Sequence, residues 1–588
     1  MNDTNKPFDS RAFLAFGVLL ALVLLLPLYW EWIGYKPAPK PTKPVATATD
    51  SLTVVDSTTK KAEIAAPTAG QATSDSTDTG FATPDGWSEQ LVQVSTQRYD
   101  AVFSTRGARL VKLVLKKFRY TDTARKGQPV VILDSVDATN GMGPRFRFPI
   151  DKLALDRACF TVAGGSKTLG ENDSTTLQFV ARSAAGSAWT ITYSFHGGRY
   201  SFDTRLQVSE PWKDGLDRNL SYGWQGGLWP TEPDATVDNN EFAAVALMGE
   251  KDIEKVTRVD RQAPTAEFGG DTHWAAVRSK YFVCVTIPIG ALGEAFEVDN
   301  RERPYVDELG QHTIKEFSAF VRMPIRVGEP IDRTFTVYTG PMDYDILKSY
   351  NVGLDQIVDL GWRWVVRPFA LLLLWVFQKL HAVVPNYGAV IILFAFLIKA
   401  IFHPLTKKQI TSMRKMQALQ PKMEKLKERF KEDPTRLNQE MMKMYKEAGI
   451  NPLSGCLPLL PQMPIFYAMF QVFKTSIELR GAGFAFWIGD LSQKDPYYVL
   501  PIIMTASMFL QQRLSNRDPK QKMLMYMLPL LFGFMFRNMP AGLNLYWTMF
   551  NIFSVVEQAW LIKHPTDTEA VPANGSVGAG KILSTKSG

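Results

Sequence analysis

The chain has 588 residues, too long for one ordinary domain, and its 66 Lys and Arg against 58 Asp and Glu leave a charge of +8 that is modest for the length. Cys159, Cys284 and Cys456 make no disulfide framework, and the six histidines show no metal-ligand spacing, so the pattern speaks against a disulfide-stapled scaffold or a metal centre. Mean hydropathy is near zero, yet the apolar residues gather from about residue 355 onward, where the chain reads as membrane-like.

Residues 12–30 are an apolar stretch with Arg11 before it and Trp30, Trp32 and Tyr35 at and after its end, as for a span with interfacial aromatics. A cleaved signal peptide is the rival. No small-x-small site follows closely, and Glu31 between two tryptophans makes a poor cleavage region, so residues 1–35 are expected to be an uncleaved anchor. Residues 36–84 are rich in Pro, Thr, Ser and Ala and read as a flexible linker.

Residues 85–345 predict one large β-sandwich. Arg109–Leu115, Thr190–Phe195 and Thr334–Tyr338 alternate or are β-branched, with Gly, Asp and Asn between such runs. An enzyme would need converging carboxylates or histidines here; His196, His273 and His312 are scattered and read as structural. Residues 355–383 carry many aromatics and leucines, but their apolar core, Pro368–Phe377, is short and closely flanked by cations. An amphipathic helix lying in the interface is favoured over a span.

The stretch 385–404 reads as a membrane span with Lys399 embedded in it. A charge there costs about 2.5–3.5 kcal/mol on insertion scales, which makes it a functional candidate by default. Two readings compete: the lysine stem snorkels to nearby headgroups, or the ammonium faces a water-filled groove between helices. Residues 405–450 follow, with twelve Lys and Arg against six Asp and Glu, an excess that places them in the cytoplasm. Met413, Met416, Leu419, Met423, Leu426 and Phe430 recur at helical spacing, as do Leu437, Met441, Met444 and Ala448, with a break at Glu432-Asp433-Pro434. This predicts a helical hairpin with one apolar seam. A self-satisfied coiled coil is the plain reading. A docking hairpin (Lys407, Lys408, Met413, Arg414, Met416, Met441, Met444) is the functional one, because flexible thioethers suit varied apolar partners and lysines attract anionic lipid or ribosomal RNA.

Four further spans are expected at about 457–475, 497–512, 523–537 and 541–562, several of them shorter than the ~20 residues a bilayer usually needs. Lys474 and Arg480 read as interface anchors beside an outer loop, 476–496. The last span holds Asn544, Tyr546, Asn551, Glu557 and Gln558, the last two expected near the inner interface. The tail, 564–588, reads as disordered and cytoplasmic. Its Gly575–Lys581 run has phosphate-loop spacing, but Ile582 stands where Ser or Thr is needed and no strand precedes it, so no nucleotide site or other cofactor is expected.

Lys399 with His403-Pro404-Leu405-Thr406, Gln420-Pro421, Asn451-Pro452-Leu453, Gly455–Leu460, Gln462–Phe466, Asp495–Tyr498 and Pro540–Leu543 together resemble the YidC/Oxa/Albino family of membrane protein insertases, in order and across roughly 355–563. The resemblance implies a multi-domain membrane protein without enzymatic activity. Its expected plan is an N-terminal anchor, a large periplasmic β-supersandwich akin to sugar-mutarotase folds, a periplasmic amphipathic helix and a five-helix transmembrane core over 385–563. It further implies a bacterial inner-membrane location, a cytoplasmic C-terminus and a hydrophilic groove open to cytoplasm and lipid. The groove would be lined by Lys399, Gln462, Met463, Pro464, Asn544, Tyr546, Trp547 and Asn551, with Lys399 where the family usually has Arg. Charge is kept there but bidentate bonding is lost. Implied partners are nascent membrane proteins, the Sec translocon, the ribosome through the basic loops, and the lipid bilayer, with no DNA. A secondary transporter is the rival class, but no matching pair of broken helices is visible in two halves.

Overall fold

The computed structural model describes residues 81–135, 142–148, 155–183, 186–209, 219–326, 329–449, 459–515 and 522–563. The expected anchor, nearly all of the linker, the segment Asn451–Pro458 with Cys456, and the tail lie outside the described residues. The chain divides into two compact units: residues 76–403 with 459–563, and residues 404–458 with the two termini.

The N-terminal part of the first unit is built from two sheets. Leu91–Ser95, Tyr99–Ser104, Arg109–Arg119 and Pro129–Asp134 pair in sequence, antiparallel, and Lys167–Thr168 adds a parallel edge. In Arg109–Arg119 the leucines at 110, 113 and 115 turn inward, while Lys112 and Lys116 turn out to Asp134 and Asp100 at 3.0 and 3.1 Å. The larger sheet has thirteen strands among the described residues. Its longest arm is the hairpin Gly293–Asp307 and Gly310–Pro324, and Ile331–Pro341 pairs with Ser201–Val208 on one side and Phe282–Ile289 on the other. The sheets meet through aromatic rings: Phe103 of the first lies 4.6 Å from Tyr193 and 5.5 Å from Phe195 of the second, centroid to centroid. Tyr193 is wholly buried, and its hydroxyl donates to the Ala108 carbonyl at 2.7 Å, which satisfies the polar tip that burial would otherwise strand. The expected sandwich is therefore present.

From residue 344 the chain is helical. Helix α1, Ala235–Glu241, is an excursion within the sheet region; α2 is Tyr344–Ser349 and α3 is Arg367–His381. In α3, Ala370, Leu373 and Phe377 are buried while Phe369, Leu372 and Trp375 stay exposed, an apolar residue on nearly every side. Phe377 packs on Phe394 and Phe473 at 5.3 and 5.8 Å.

Helix α4, Tyr387–Ala418, continues through Pro404 and runs for 32 residues. The proline removes one backbone donor and its ring crowds the preceding turn, yet the helix continues through it with 17 residues before and 14 after. Among the described residues, Tyr387–Met416 is the helical stretch long and apolar enough to cross a bilayer by itself. Helices α5, Gln420–Arg429, and α6, Pro434–Glu447, make the hairpin, with the Tyr445 hydroxyl 2.8 Å from the Met423 sulfur. Helices α7, Leu459–Thr475; α8, Val499–Ser515; α9, Lys522–Phe536; and α10, Ala541–Lys563 complete the chain. With 17 and 15 residues, α8 and α9 are roughly 25 and 23 Å long against a hydrocarbon core of about 30 Å. Phe396, Leu397 and Ile401 on α4, Ile502 and Leu510 on α8, Leu530 and Phe534 on α9, and Val556 and Trp560 on α10 are all exposed. So much bare apolar surface suits lipid rather than water.

The loop between α7 and α8 is locked to the sheet region. Arg480 is buried, not an interface anchor. Its guanidinium meets Glu232 at 2.6 Å and donates to the carbonyls of Arg119 and Thr231 at 2.9 and 3.0 Å. Gln493 donates to the other oxygen of Glu232 at 2.7 Å. Nearby, Glu241 pairs with Arg278 and Lys474 at 3.1 and 2.9 Å. The same loop ties down α10: Ala541 N donates to Gln493 O at 2.7 Å and Gly542 N to Leu491 O at 2.9 Å. Asp495, fully buried, accepts from Trp487 Nε1 and from the amides of Tyr497 and Leu500, which fixes the entry to α8.

Candidate substrate groove

Helix α10 carries a polar residue every three or four positions: Asn544, Thr548, Asn551, Ser554 and Glu557. That spacing places them in one stripe along a single face. The first four are buried. Asn544 closes the α9–α10 turn, its Nδ2 donating to the carbonyls of Phe536 and Met539 at 3.1 and 3.4 Å. Further along, Thr548 Oγ1 and Asn551 Nδ2 are buried without a hydrogen-bond partner among the described residues, as is Asn544 Oδ1. Leaving such an atom unpaired costs about 1–3 kcal/mol. A stripe holding three of them needs partners that the described residues do not supply.

Lys399, on α4, meets the C-terminal end of the stripe. Only 9% of the residue is exposed, so its stem does not snorkel into open surroundings. The ammonium lies 2.7 Å from Glu557 Oε2, donates to Ser554 Oγ at 2.9 Å, and sits 5.1 Å from the Phe550 ring centroid. Ser554 in turn donates to the Phe550 carbonyl at 2.7 Å. The other Glu557 oxygen faces His403 Nδ1 at 2.6 Å, and His403 is half-exposed one turn beyond Lys399. A buried cation with a matched carboxylate and a hydroxyl is far less costly than a bare one.

The remaining expected residues divide. Tyr546 is buried among rings, 6.1 Å from Phe394 and 5.9 Å from Phe550, and works as core. Trp547 is half-buried and bridges α7 and α9 through Phe466 and Phe536 at 5.0 and 5.9 Å. Gln462, Met463 and Pro464 lie half-buried in the first turns of α7. In the second unit, Met413, Arg414, Met416, Met441 and Met444 are half-buried, as is Lys407, while Lys408 is exposed. Reading residue by residue did not single out Thr548 and Ser554, and for Glu557, expected near the inner interface, it did not foresee the contact with Lys399. The three-and-four spacing of hydroxyls and amides along α10 is the signal that finds them.

Two family models match the chain. One described as "60Kd inner membrane protein" matches residues 379–568, and one described as "YidC periplasmic domain" matches residues 91–372. The chain is similar to the membrane protein insertase YidC of Chlorobium phaeovibrioides, 35% identical over 524 residues, covering 85% of this chain and 87% of that one. The insertase YidC of Pelodictyon phaeoclathratiforme is 32% identical over 592 residues, covering 97% and 98%. A solved structure described as an active YidC insertase with its first transmembrane domain resolved covers 83% of this chain and 95% of its own, at 18% identity and a TM-score of 0.34. With 32–35% identity to these two relatives over 87–98% of their length, and both family models matched, the chain belongs to the YidC family of membrane protein insertases, inner-membrane proteins with a periplasmic domain.

Proposed function

We propose that client segments enter the bilayer along the polar face of α10, with Lys399 as a halfway station for an acidic or polar outer tail. The observation that carries this is the row of buried, unpartnered polar atoms at Thr548 and Asn551 running up to a buried cation. A client tail shedding water finds donors and acceptors there. Attraction between Lys399 and a carboxylate grows as the local dielectric falls. The short α8 and α9 fit a locally thinned bilayer, which leaves less hydrocarbon to cross. The apolar client segment then moves sideways into lipid, and burial of ~20 apolar residues drives the step without a nucleotide. The hairpin α5–α6 receives clients on the cytoplasmic side, its methionines adapting to varied apolar faces and its lysines meeting the ribosome. The sheet region stands in the periplasm, and the Sec translocon hands over larger clients.

The test is depletion of the native protein and rescue by Lys399→Arg, Lys399→Ala and Lys399→Glu, while insertion of a small single-span client is followed. Rescue by the arginine variant alone is expected. Equal rescue by all three would reduce Lys399 to a structural residue. Labelling of single cysteines placed in 405–450 is expected from the inside only.

A further inference from the structure

We propose that Glu557 is a resident stand-in for a client's carboxylate, and that it decides which clients reach Lys399. The inference rests on the groove reading above and adds an internal competitor to it.

A lysine ammonium has three donors. Here one donor goes to Ser554 at 2.9 Å, Glu557 Oε2 lies against the ammonium at 2.7 Å as its ion-pair partner, and the Phe550 ring centroid is 5.1 Å away on a further side. An arriving carboxylate therefore cannot simply be added; it must take the place of Glu557. The arrangement is suited to such an exchange. The second oxygen of Glu557 already faces His403 Nδ1 at 2.6 Å, toward the more exposed end of the cluster. When Oε2 leaves Lys399, Oε1 keeps a partner, and the carboxylate is not stranded in an apolar setting. The ammonium meanwhile passes from one carboxylate to another and is never left bare.

This arrangement discriminates. A neutral tail leaves the Lys399–Glu557 pair intact and gains only the uncharged stripe. An acidic tail gains the cation but must first displace Glu557, so its advantage over a neutral tail is small in the native protein. Removing the resident charge should enlarge that advantage.

The experiment uses the full chain in native membrane vesicles. Two single-span clients differ only by Asp or Asn in the outer tail, next to a photoreactive residue, and the ratio of their crosslinking yields to the insertase is read. Glu557→Gln, which keeps a carbonyl acceptor, should raise the Asp-to-Asn ratio on the order of tenfold, the scale of one hydrogen bond to a charged group. Adding Lys399→Ala to Glu557→Gln should return the ratio to about that of the native protein or below. His403→Gln weakens the second holding point of Glu557 and should lower the ratio, which keeps the proposal testable if Glu557→Gln accumulates poorly. Crosslinks from both clients with a ratio unmoved in Glu557→Gln and in His403→Gln would overturn the competitor and spare the groove. Absence of groove crosslinks from either client in the native protein would overturn the groove reading, and this proposal with it.

Discussion

Arg480 and Glu232 lie 248 positions apart and meet at 2.6 Å with both side chains almost wholly buried. Breaking a buried pair from one side typically costs about 3–5 kcal/mol, because the remaining charge is stranded. Glu232→Gln should therefore loosen the sheet region from the α7–α8 loop. Limited proteolysis of the full chain in nanodiscs should show faster cleavage near residue 480, and chemical denaturation an earlier first transition. Arg480→Lys should be nearly as harmful, since a single ammonium cannot reach the carbonyls of Arg119 and Thr231 together with the carboxylate. Unchanged proteolysis in both variants would count against a locked loop.

The same seam predicts a pH profile. Burial, helped by the charge of Glu232, pushes Asp238 up to about 6 from an ordinary 3.8. Burial also acts to raise Glu241, but Lys474 and Arg278 outweigh it and hold that carboxyl down to about 2, from 4.5. The folded state thus takes up a proton at Asp238 before the unfolded state does. Stability from Asp238 is complete below pH 3.8 and is lost as pH rises through 6. Glu241 has the opposite sense: its contribution is complete above pH 4.5 and is lost as pH falls toward 2. Thermal unfolding of the full chain should improve on acidification from about pH 7 to 5 and decline below about pH 4. Asp238→Asn should weaken the upper limb and leave the lower one, with the remainder of the upper limb carried by Asp490 and Glu478, whose carboxyls burial also raises. An upper limb unchanged in this variant would count against Asp238 as its source.

Thr548→Val separates groove from core. The hydroxyl is buried and unpartnered, so replacing it by a methyl should leave stability unchanged or raise it by up to ~1 kcal/mol. Crosslinking of a client tail to α10 should fall in the same variant. A protein destabilised by more than about 2 kcal/mol would show that the hydroxyl serves the fold itself.

Tyr193→Phe probes the joint between the two sheets. It removes the donor to the Ala108 carbonyl and leaves that acceptor dry, for a loss of about 1–3 kcal/mol. Urea unfolding followed by tryptophan fluorescence should report it, with client insertion unaffected at permissive temperature.

Much of this was legible in the chain. Alternation in Arg109–Leu115 reports the pleat, and the leucine–aromatic run before His381 reports a helix with apolar faces. Lys399 stands out because a cation in an apolar run is costly wherever it points. Its partners do not stand out, since Ser554 lies 155 positions away and only tertiary packing brings it near. Arg480 misled for a related reason. A lone arginine beside an apolar run looks like a headgroup anchor, and the carboxylate that buries it belongs to a sheet region far upstream. Pro404 looks like an end in the sequence, yet α4 runs on through it, so the rest of the long helix outweighs a lost bond and a ring clash that together cost about 3 kcal/mol.

The backbone straps at Ala541 and Gly542 have a mechanical corollary. They pin α10 where it starts, beneath a loop that is itself bolted to the sheet region through Gln493 and Glu232. A rod clamped at one tip swings most at the other, and that other tip carries Glu557. Any movement of α10 is therefore expected to grow from Asn544 toward Glu557, so the contact between Glu557 and Lys399 is the first that such a swing would open.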